Sequence, residues 1–172
     1  MPARIILARH GETDWNRERR WQGHSDRPLN DTGREQAEAL AADLADEPIA
    51  AVYSSDLVRA HETARIVAER LGLDVVTVPG LRERRFGSWE GLKDVEVERL
   101  FPGVKGAPDA EPREEMARRV LESLERIADS NDGRTVLVIS HGGPIRAVLR
   151  HRGDARCDGP VENCSIVDLE VD

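Results

Sequence analysis

The sequence has few cysteines and few aromatic residues, and it contains no long apolar run. Two cysteines in 172 residues are too few for a disulfide framework or a four-cysteine zinc site. No stretch stays apolar for about 18 residues, so no membrane-spanning helix is expected. The short apolar run before Arg9 is too brief for a signal peptide. We therefore expect a cytoplasmic protein with reduced thiols and, at 3% aromatic content, an aliphatic core.

Positive charge is also in deficit. The chain has 33 acidic and 25 basic residues and a formal net charge of −8. This balance argues against nucleic acid and against an anionic membrane surface as partners, because both require a basic face. Only two of the basic residues are lysines, and the many arginines carry a fork that matches phosphate or carboxylate. Codon or lineage preference is the ordinary explanation for most of these arginines.

The sequence does contain an alternation of strand-like and helix-like hydrophobic periods, which is typical of an α/β fold with a mostly parallel sheet. Strands are predicted over 4–8, 49–53, 75–78, 135–139 and 165–171. Helices are predicted from caps at Asp31-Thr32 and at residues 54–56, and over 93–100, 114–128 and 144–150. No repeat or boundary divides the chain, so we expect a single domain over residues 1–172.

Polar residues of unusual type follow three of the predicted strands. Arg9 and His10 follow the first strand, Arg59 lies one turn beyond the second, and His141 follows the fourth. The carboxyl ends of parallel strands meet at one edge of a sheet, so these residues can converge there. Arginine forks and helix N-termini suit a phosphoryl group, and a neutral histidine can attack phosphorus. Each residue alone is more often structural or solvated; only their joint placement favours a site.

Five ordered segments resemble the motifs of the histidine phosphatase superfamily, also called the phosphoglycerate mutase-like family. They span most of the chain: residues 7–16 (LARHGETDWN), 22–29 (QGHSDRPL), 54–64 (SSDLVRAHETA), 81–83 with 87–91 (LRE and GSWEG), and 140–143 (SHGG). The resemblance implies a three-layer α/β/α sandwich. It also implies chemistry without a metal or other cofactor, because arginine and histidine supply the positive charge.

The resemblance also implies a role for each matching residue. His10 would be the nucleophile that forms a phosphohistidine, and Glu83 would protonate the leaving oxygen and then deprotonate water. The phosphoryl oxygens would be bound by Arg9, Arg59 and His141. Further contacts in the same pocket would come from Asn16, Gln22, Gly23 and the amide of Gly142. We expect most of the arginines that flank Glu83 to face away from it.

Within the family, a short connection favours hydrolysis over phosphoryl transfer between substrates. Phosphoglycerate mutases resemble this chain at the core but carry longer insertions, whereas here the lid region is short, about residues 92–112. A mutase must keep water from the phosphoenzyme and a phosphatase must admit it. We expect a metal-independent phosphomonoesterase acting on a small phosphorylated metabolite. The alternative is a phosphoglycerate mutase or another phosphotransferase.

A third hypothesis is a non-catalytic phosphate-binding protein. A binder needs no acid, so the presence of Glu83 beside the full set of basic residues speaks against it. The residues that would choose the substrate are Trp21, Phe86 and the 102–112 loop, and the sequence leaves the substrate open. It is also compatible with a homodimer.

Overall fold

A computed structural model describes residues 1–104 and 106–171 and contains a five-stranded sheet. The strands are β1 (Ala3–Arg9), β2 (Ile49–Ser54), β3 (Val75–Thr77), β4 (Thr135–Ser140) and β5 (Ile166–Val171). Their order is β3-β2-β4-β1-β5, with β5 antiparallel to β1 and the other pairs parallel. The predicted α/β class and mostly parallel sheet are confirmed, and each strand ends within one residue of its predicted position.

Six α-helices connect these strands. They are α1 (Asp14–Arg17), α2 (Asp31–Asp43), α3 (Val58–Leu71), α4 (Asp94–Leu100), α5 (Arg113–Asp129) and α6 (Gly142–His151). Short 3₁₀ turns lie at Pro79–Leu81, Gly87–Trp89 and Ala155–Asp158. Among the described residues, no helix is both long and apolar enough to cross a membrane.

Alternate side chains of the central strands enter two separate cores, which produces the three-layer sandwich. Ile5 and Leu7 of β1 pack with α5 and α6 on one face of the sheet. Ile6 and Ala8 pack with α2 and α3 on the other face. A strand buried on both faces is apolar at every position, which explains the continuous runs in β1 and β4.

The starts of two helices differ from the sequence prediction, and a third agrees with it. Asn30, rather than Asp31-Thr32, caps α2, and its side chain accepts the Gly33 N–H at 2.8 Å. No side chain of residues 54–56 caps α3; instead Asp26, from a distant loop, accepts the Val58 N–H at 2.7 Å. A cap must be extended with its oxygen over the first turn, and a partner far along the sequence can meet that need. Helix α6 begins at Gly142, so Pro144 falls within its first turn.

The parallel strands place three loops at one edge of the sheet. β1 ends beside β4, where Arg9 pairs with Ser140, and β2 ends beside β4, where Ser54 pairs with Ile139. The helices α3 and α6 follow β2 and β4 and begin at this edge. The predicted lid contains α4 and a connection in which Glu111 donates its N–H to the Arg85 carbonyl. Lys105 of this lid lies outside the described residues.

Candidate active site

His10 lies at the end of β1 with only 2% of its surface exposed. Its Nδ1 is 2.6 Å from the Gly11 carbonyl oxygen. Because a carbonyl can only accept, Nδ1 carries the proton and Nε2 keeps its lone pair. Burial, and then the charges of Arg59 and Arg9, lower the pKa of His10 well below its ordinary value. The ring is therefore a neutral imidazole with a nucleophilic nitrogen at Nε2.

The peptide that joins His10 to Gly11 is bound from both sides. Its carbonyl accepts the Asn163 amide at 3.0 Å and the Cys164 N–H at 3.3 Å, while its N–H donates to the Thr63 hydroxyl at 3.0 Å. Thr63 lies on α3 and Asn163 lies in the loop before β5. The sequence assigned no role to either residue, because their contacts arise only when the sheet brings three distant segments together.

His141 is completely buried at the start of α6, and its ring centroid lies 5.2 Å from that of His10. The Ser55 hydroxyl accepts the Leu57 N–H at 3.1 Å and lies 2.8 Å from Nε2 of His141. Burial, with the charge of Arg59, lowers the pKa of His141 well below its ordinary value. In this neutral ring Nε2 accepts the Ser55 proton, so we assign the ring proton to Nδ1.

Two buried arginines surround the histidines. Arg59 donates to the carbonyls of Ser25 at 2.9 Å and Gly23 at 2.7 Å, and Arg9 donates to Val161 at 2.5 Å. Burial lowers the pKa of Arg9, and it lowers the pKa of Arg59 to about 10, so both stay charged at neutral pH.

Three buried nitrogens at this edge have no hydrogen-bond partner among the residues that the structure describes. They are the Nε atoms of Arg9 and Arg59 and Nδ1 of His141. A buried donor without a partner is costly. Three such donors around one imidazole can bind the oxygens of a phosphoryl group.

Asn16 and Gln22 direct their amide nitrogens away from the surrounding protein donors. The Asn16 side-chain oxygen accepts the Thr13 N–H at 3.0 Å and lies 3.4 Å from the Asn163 amide. The Gln22 side-chain oxygen accepts the Thr13 hydroxyl at 2.8 Å. Because each oxygen is occupied, each NH₂ group is the end that can donate to a ligand. Thr13 was not predicted, and it orients both amides.

Two glycines allow close approaches that a side chain would block. Gly23 has a φ of +52°, and its carbonyl accepts Arg59; a Cβ there would collide with the Glu90 carboxylate. A Cβ on Gly143 would collide with the Glu83 carboxylate. At Gly142, an added Cβ would lie 3.8 Å from Nε of Arg9, which places the start of α6 next to that guanidinium.

Glu83 contacts the first turn of α6. Its carboxylate accepts the Gly143 N–H at 3.0 Å and the Arg84 N–H at 2.7 Å. Arg82 binds Asp56 through two bonds of 2.6 Å, and Arg85 donates to the Asp109 carbonyl at 3.0 Å. These two flanking arginines face away from the carboxylate, as predicted.

Arg119 of α5 fixes the segment that carries Glu83, a role that sequence reasoning missed. Its guanidinium donates to the carbonyls of Gly80 at 2.9 Å, Arg82 at 2.7 Å and Glu83 at 2.8 Å. It also pairs with Glu111 at 2.7 Å. Arg119 thus positions residues 80–83 from α5, the helix that follows the lid in the sequence.

A cleft of about 790 Å³ opens beside Glu83 and Gly143. Trp21, Phe86 and Trp89 form part of its wall, and the Trp21 and Phe86 rings lie 4.8 Å apart, edge to face. Trp21 and Phe86 therefore line this cleft. In the part of the chain that the structure describes, no group of three or more His, Cys, Asp or Glu side chains is arranged to bind a metal ion.

Comparison with known proteins gives a consistent match along the whole chain. A model of the histidine phosphatase superfamily (branch 1) matches residues 5–172. Phosphoglycerate mutase-like protein 4 of Arabidopsis thaliana is 40% identical over 95% of this chain and 77% of its own length. The metal-independent phosphoserine phosphatase of Arabidopsis thaliana is 38% identical over 94% of this chain and 74% of its own length.

A solved structure is similar as well. A mycobacterial glucosyl-3-phosphoglycerate phosphatase, in a complex with VO₃, superimposes with a TM-score of 0.87 at 30% identity, covering 96% of this chain and 90% of that one. The relatives include both phosphatases and mutase-like proteins.

Proposed function

The chain belongs to branch 1 of the histidine phosphatase superfamily, and from that membership we propose that it is a metal-independent phosphomonoesterase for a small phosphorylated metabolite. One observation carries the proposal: three buried, unpartnered donors surround the neutral His10 imidazole. We treat residues 1–172 as one catalytic domain, because both cores pack on a single sheet.

In the first step, Nε2 of His10 attacks phosphorus and the bond from phosphorus to the ester oxygen breaks. The charge on the phosphoryl oxygens is stabilised by Arg9, Arg59 and Nδ1–H of His141, with Asn16, Gln22 and the Gly142 amide as further donors. Glu83 transfers its proton to the leaving oxygen, so an alcohol departs and a phosphohistidine remains.

In the second step, a water molecule enters from the cleft. The Glu83 carboxylate removes its proton, the water oxygen bonds to phosphorus, and the bond from phosphorus to Nε2 breaks. The products are inorganic phosphate and free His10, with the proton back on Glu83. The same pair of groups thus serves both half-reactions.

The experiment measures hydrolysis of p-nitrophenyl phosphate in the presence of EDTA, with conversion of 3-phosphoglycerate to 2-phosphoglycerate assayed in parallel. We expect chelator-resistant hydrolysis, little isomerisation, and loss of both in His10→Ala. The matched control is His61→Ala, because His61 lies on α3 and takes no part in the site.

Each other outcome contradicts a definite part of the proposal. Unchanged hydrolysis in His10→Ala would exclude the phosphohistidine route. Isomerisation faster than hydrolysis would identify a mutase instead. Phosphate binding with no turnover of either substrate would identify a binding protein.

A further inference from the structure

The cleft beside Glu83 continues along one face of α6. Gly143, Arg146, Ala147 and Arg150 line it, at the three- and four-residue spacing that keeps side chains on one face of a helix. With a rise of about 1.5 Å per residue, Arg146 lies roughly 5 Å and Arg150 roughly 11 Å along the axis from Gly143. These are rises between backbone positions. The Arg146 guanidinium extends back toward the start of α6, with Nη1 3.4 Å from where a Cβ on Gly142 would lie, so Arg146 lies nearer than Arg150 to the bond that is cleaved.

The positive charge on this side of the cleft is weakly neutralised. Within the described residues, no carboxylate lies within 4 Å of Arg146, whose Nε donates to the Gly159 carbonyl at 3.3 Å. Arg150 lies 3.9 Å from an exposed Asp158 carboxylate. Such an exposed, long ion pair contributes little and is readily exchanged for a ligand.

The side of the cleft that faces α6 is apolar beyond the first turn of α5. Arg113 and Glu114 line it at the start of that helix, and Met116, Ala117 and Leu121 continue it, with Trp21 and Phe86 also in the wall. A volume of about 790 Å³ falls in the range that encloses a drug-sized ligand. An apolar wall facing a row of arginines fits a molecule with an apolar middle and an anionic end.

We propose that the substrate is an elongated phosphomonoester whose leaving group carries a second anionic group, a carboxylate or phosphate, roughly 5 to 11 Å beyond the ester oxygen. This inference rests on the proposed phosphatase function, because it places the scissile ester between His10 and Glu83. Arg146 binds the second anion of shorter substrates and Arg150 that of longer ones, while the carbon chain packs on α5.

The test uses ω-phosphooxyalkanoic acids of increasing chain length, each with its methyl ester as a neutral partner. For every length the ratio of kcat/KM for acid and ester is measured on the same enzyme preparation. We expect the ratio to reach tenfold or more at lengths that span 5 to 11 Å, and to approach one for much shorter chains. Arg146→Gln should abolish the preference at the short end of that window, and Arg150→Gln at the long end.

Arg118→Gln is the matched control, because Arg118 lies on the exposed face of α5 and pairs with Glu122; it should leave the ratio unchanged. If acids and esters are hydrolysed equally at every length, this inference is wrong and the proposed phosphatase function stands. If p-nitrophenyl phosphate and every member of the series resist hydrolysis, the proposed function itself fails. A preference that survives both arginine substitutions would place the second anion elsewhere.

Discussion

The two histidines of the site carry the proton on the same ring nitrogen, Nδ1, but direct opposite nitrogens toward the phosphoryl site. The Gly11 carbonyl accepts a hydrogen bond from Nδ1–H of His10, whereas the Ser55 hydroxyl donates a hydrogen bond to Nε2 of His141. Hydrogen bonds to the outer nitrogen of each ring therefore determine that one imidazole offers a lone pair and the other a donor. His10, the proposed nucleophile, and His141, the proposed donor to the phosphoryl oxygens, differ in which ring nitrogen already has a protein partner.

At this scale the proposed role of Glu83 is tested with Glu83→Gln, which keeps the shape of the side chain but cannot donate and regain a proton. We expect kcat/KM for an alkyl phosphate, which reports formation of the phosphohistidine and not its hydrolysis, to fall by about 10² to 10⁴. The loss for p-nitrophenyl phosphate should be much smaller, because its leaving group departs without a proton. Glu114→Gln, in the same cleft, is the control and should change neither rate greatly. Equal losses for both substrates would contradict the acid role.

At the scale of secondary-structure elements, α5 determines the position of residues 80–83, the segment that carries Glu83. Arg119 bonds three carbonyls of residues 80–83 as well as Glu111. A guanidinium can bind several acceptors in one plane, whereas a lysine ammonium cannot reproduce that fork. The helix thereby restricts the position of a carboxylate that belongs to a neighbouring loop.

Arg119→Lys should therefore act through Glu83. We expect kcat/KM for an alkyl phosphate to fall about tenfold or more, since misplacement of a catalytic group by about 1 Å can cost up to 10²-fold. Hydrolysis of p-nitrophenyl phosphate should be less affected, and KM should change less than kcat. Arg118→Lys, one residue away, serves as the control. A purely structural role for Arg119 would lower both substrates' rates in parallel.

The comparison of predicted and observed elements separates local from distant causes. The strands were predictable from local patterns: β1 and β4 contain continuous apolar runs, and β5 alternates apolar and polar residues. The cap of α3 was not predictable from local sequence, because its acceptor is the distant Asp26. The capping box at Thr13, which begins the four-residue helix α1, was also missed. Local periodicity predicts where an element lies; contacts from elsewhere determine how it starts.

The same distinction applies to the site across the whole molecule. His10, Arg59 and His141 were predictable because they follow strands whose ends meet at one edge. Thr63, Asn163 and Arg119 were not, because each contacts the site only through a fold that joins remote segments. Residues of this second group resemble ordinary polar surface residues in the sequence.

For the molecule as a whole, burial of two neutral histidines links stability to pH. An unfolded histidine binds a proton near pH 6.5, but His10 and His141 do so only well below that value. The unfolded state therefore binds more protons in this window. The free energy of unfolding should fall as the pH drops below about 6.5, by up to about 1.4 kcal/mol per pH unit for each histidine.

Urea unfolding between pH 7 and pH 5 in phosphate-free buffer measures this slope. His10→Asn should reduce it by up to about 1.4 kcal/mol per pH unit, whereas His151→Asn, at an exposed position, should leave it unchanged. An identical slope in wild type and His10→Asn would show that His10 binds protons equally in the folded and unfolded states, which contradicts a lowered pKa.

The position of β1 also has a consequence for the order in which the molecule is made. β1 lies between β4 and β5, so Arg4 pairs with Thr135 on one side and with Glu170 on the other. A ribosome adds about 5–20 residues per second, so roughly 6 to 30 seconds separate the synthesis of β1 from that of its neighbours. Asn163, which binds the His10 carbonyl, emerges equally late. The proposed nucleophile is thus translated well before the segments that supply the surroundings in which it reacts.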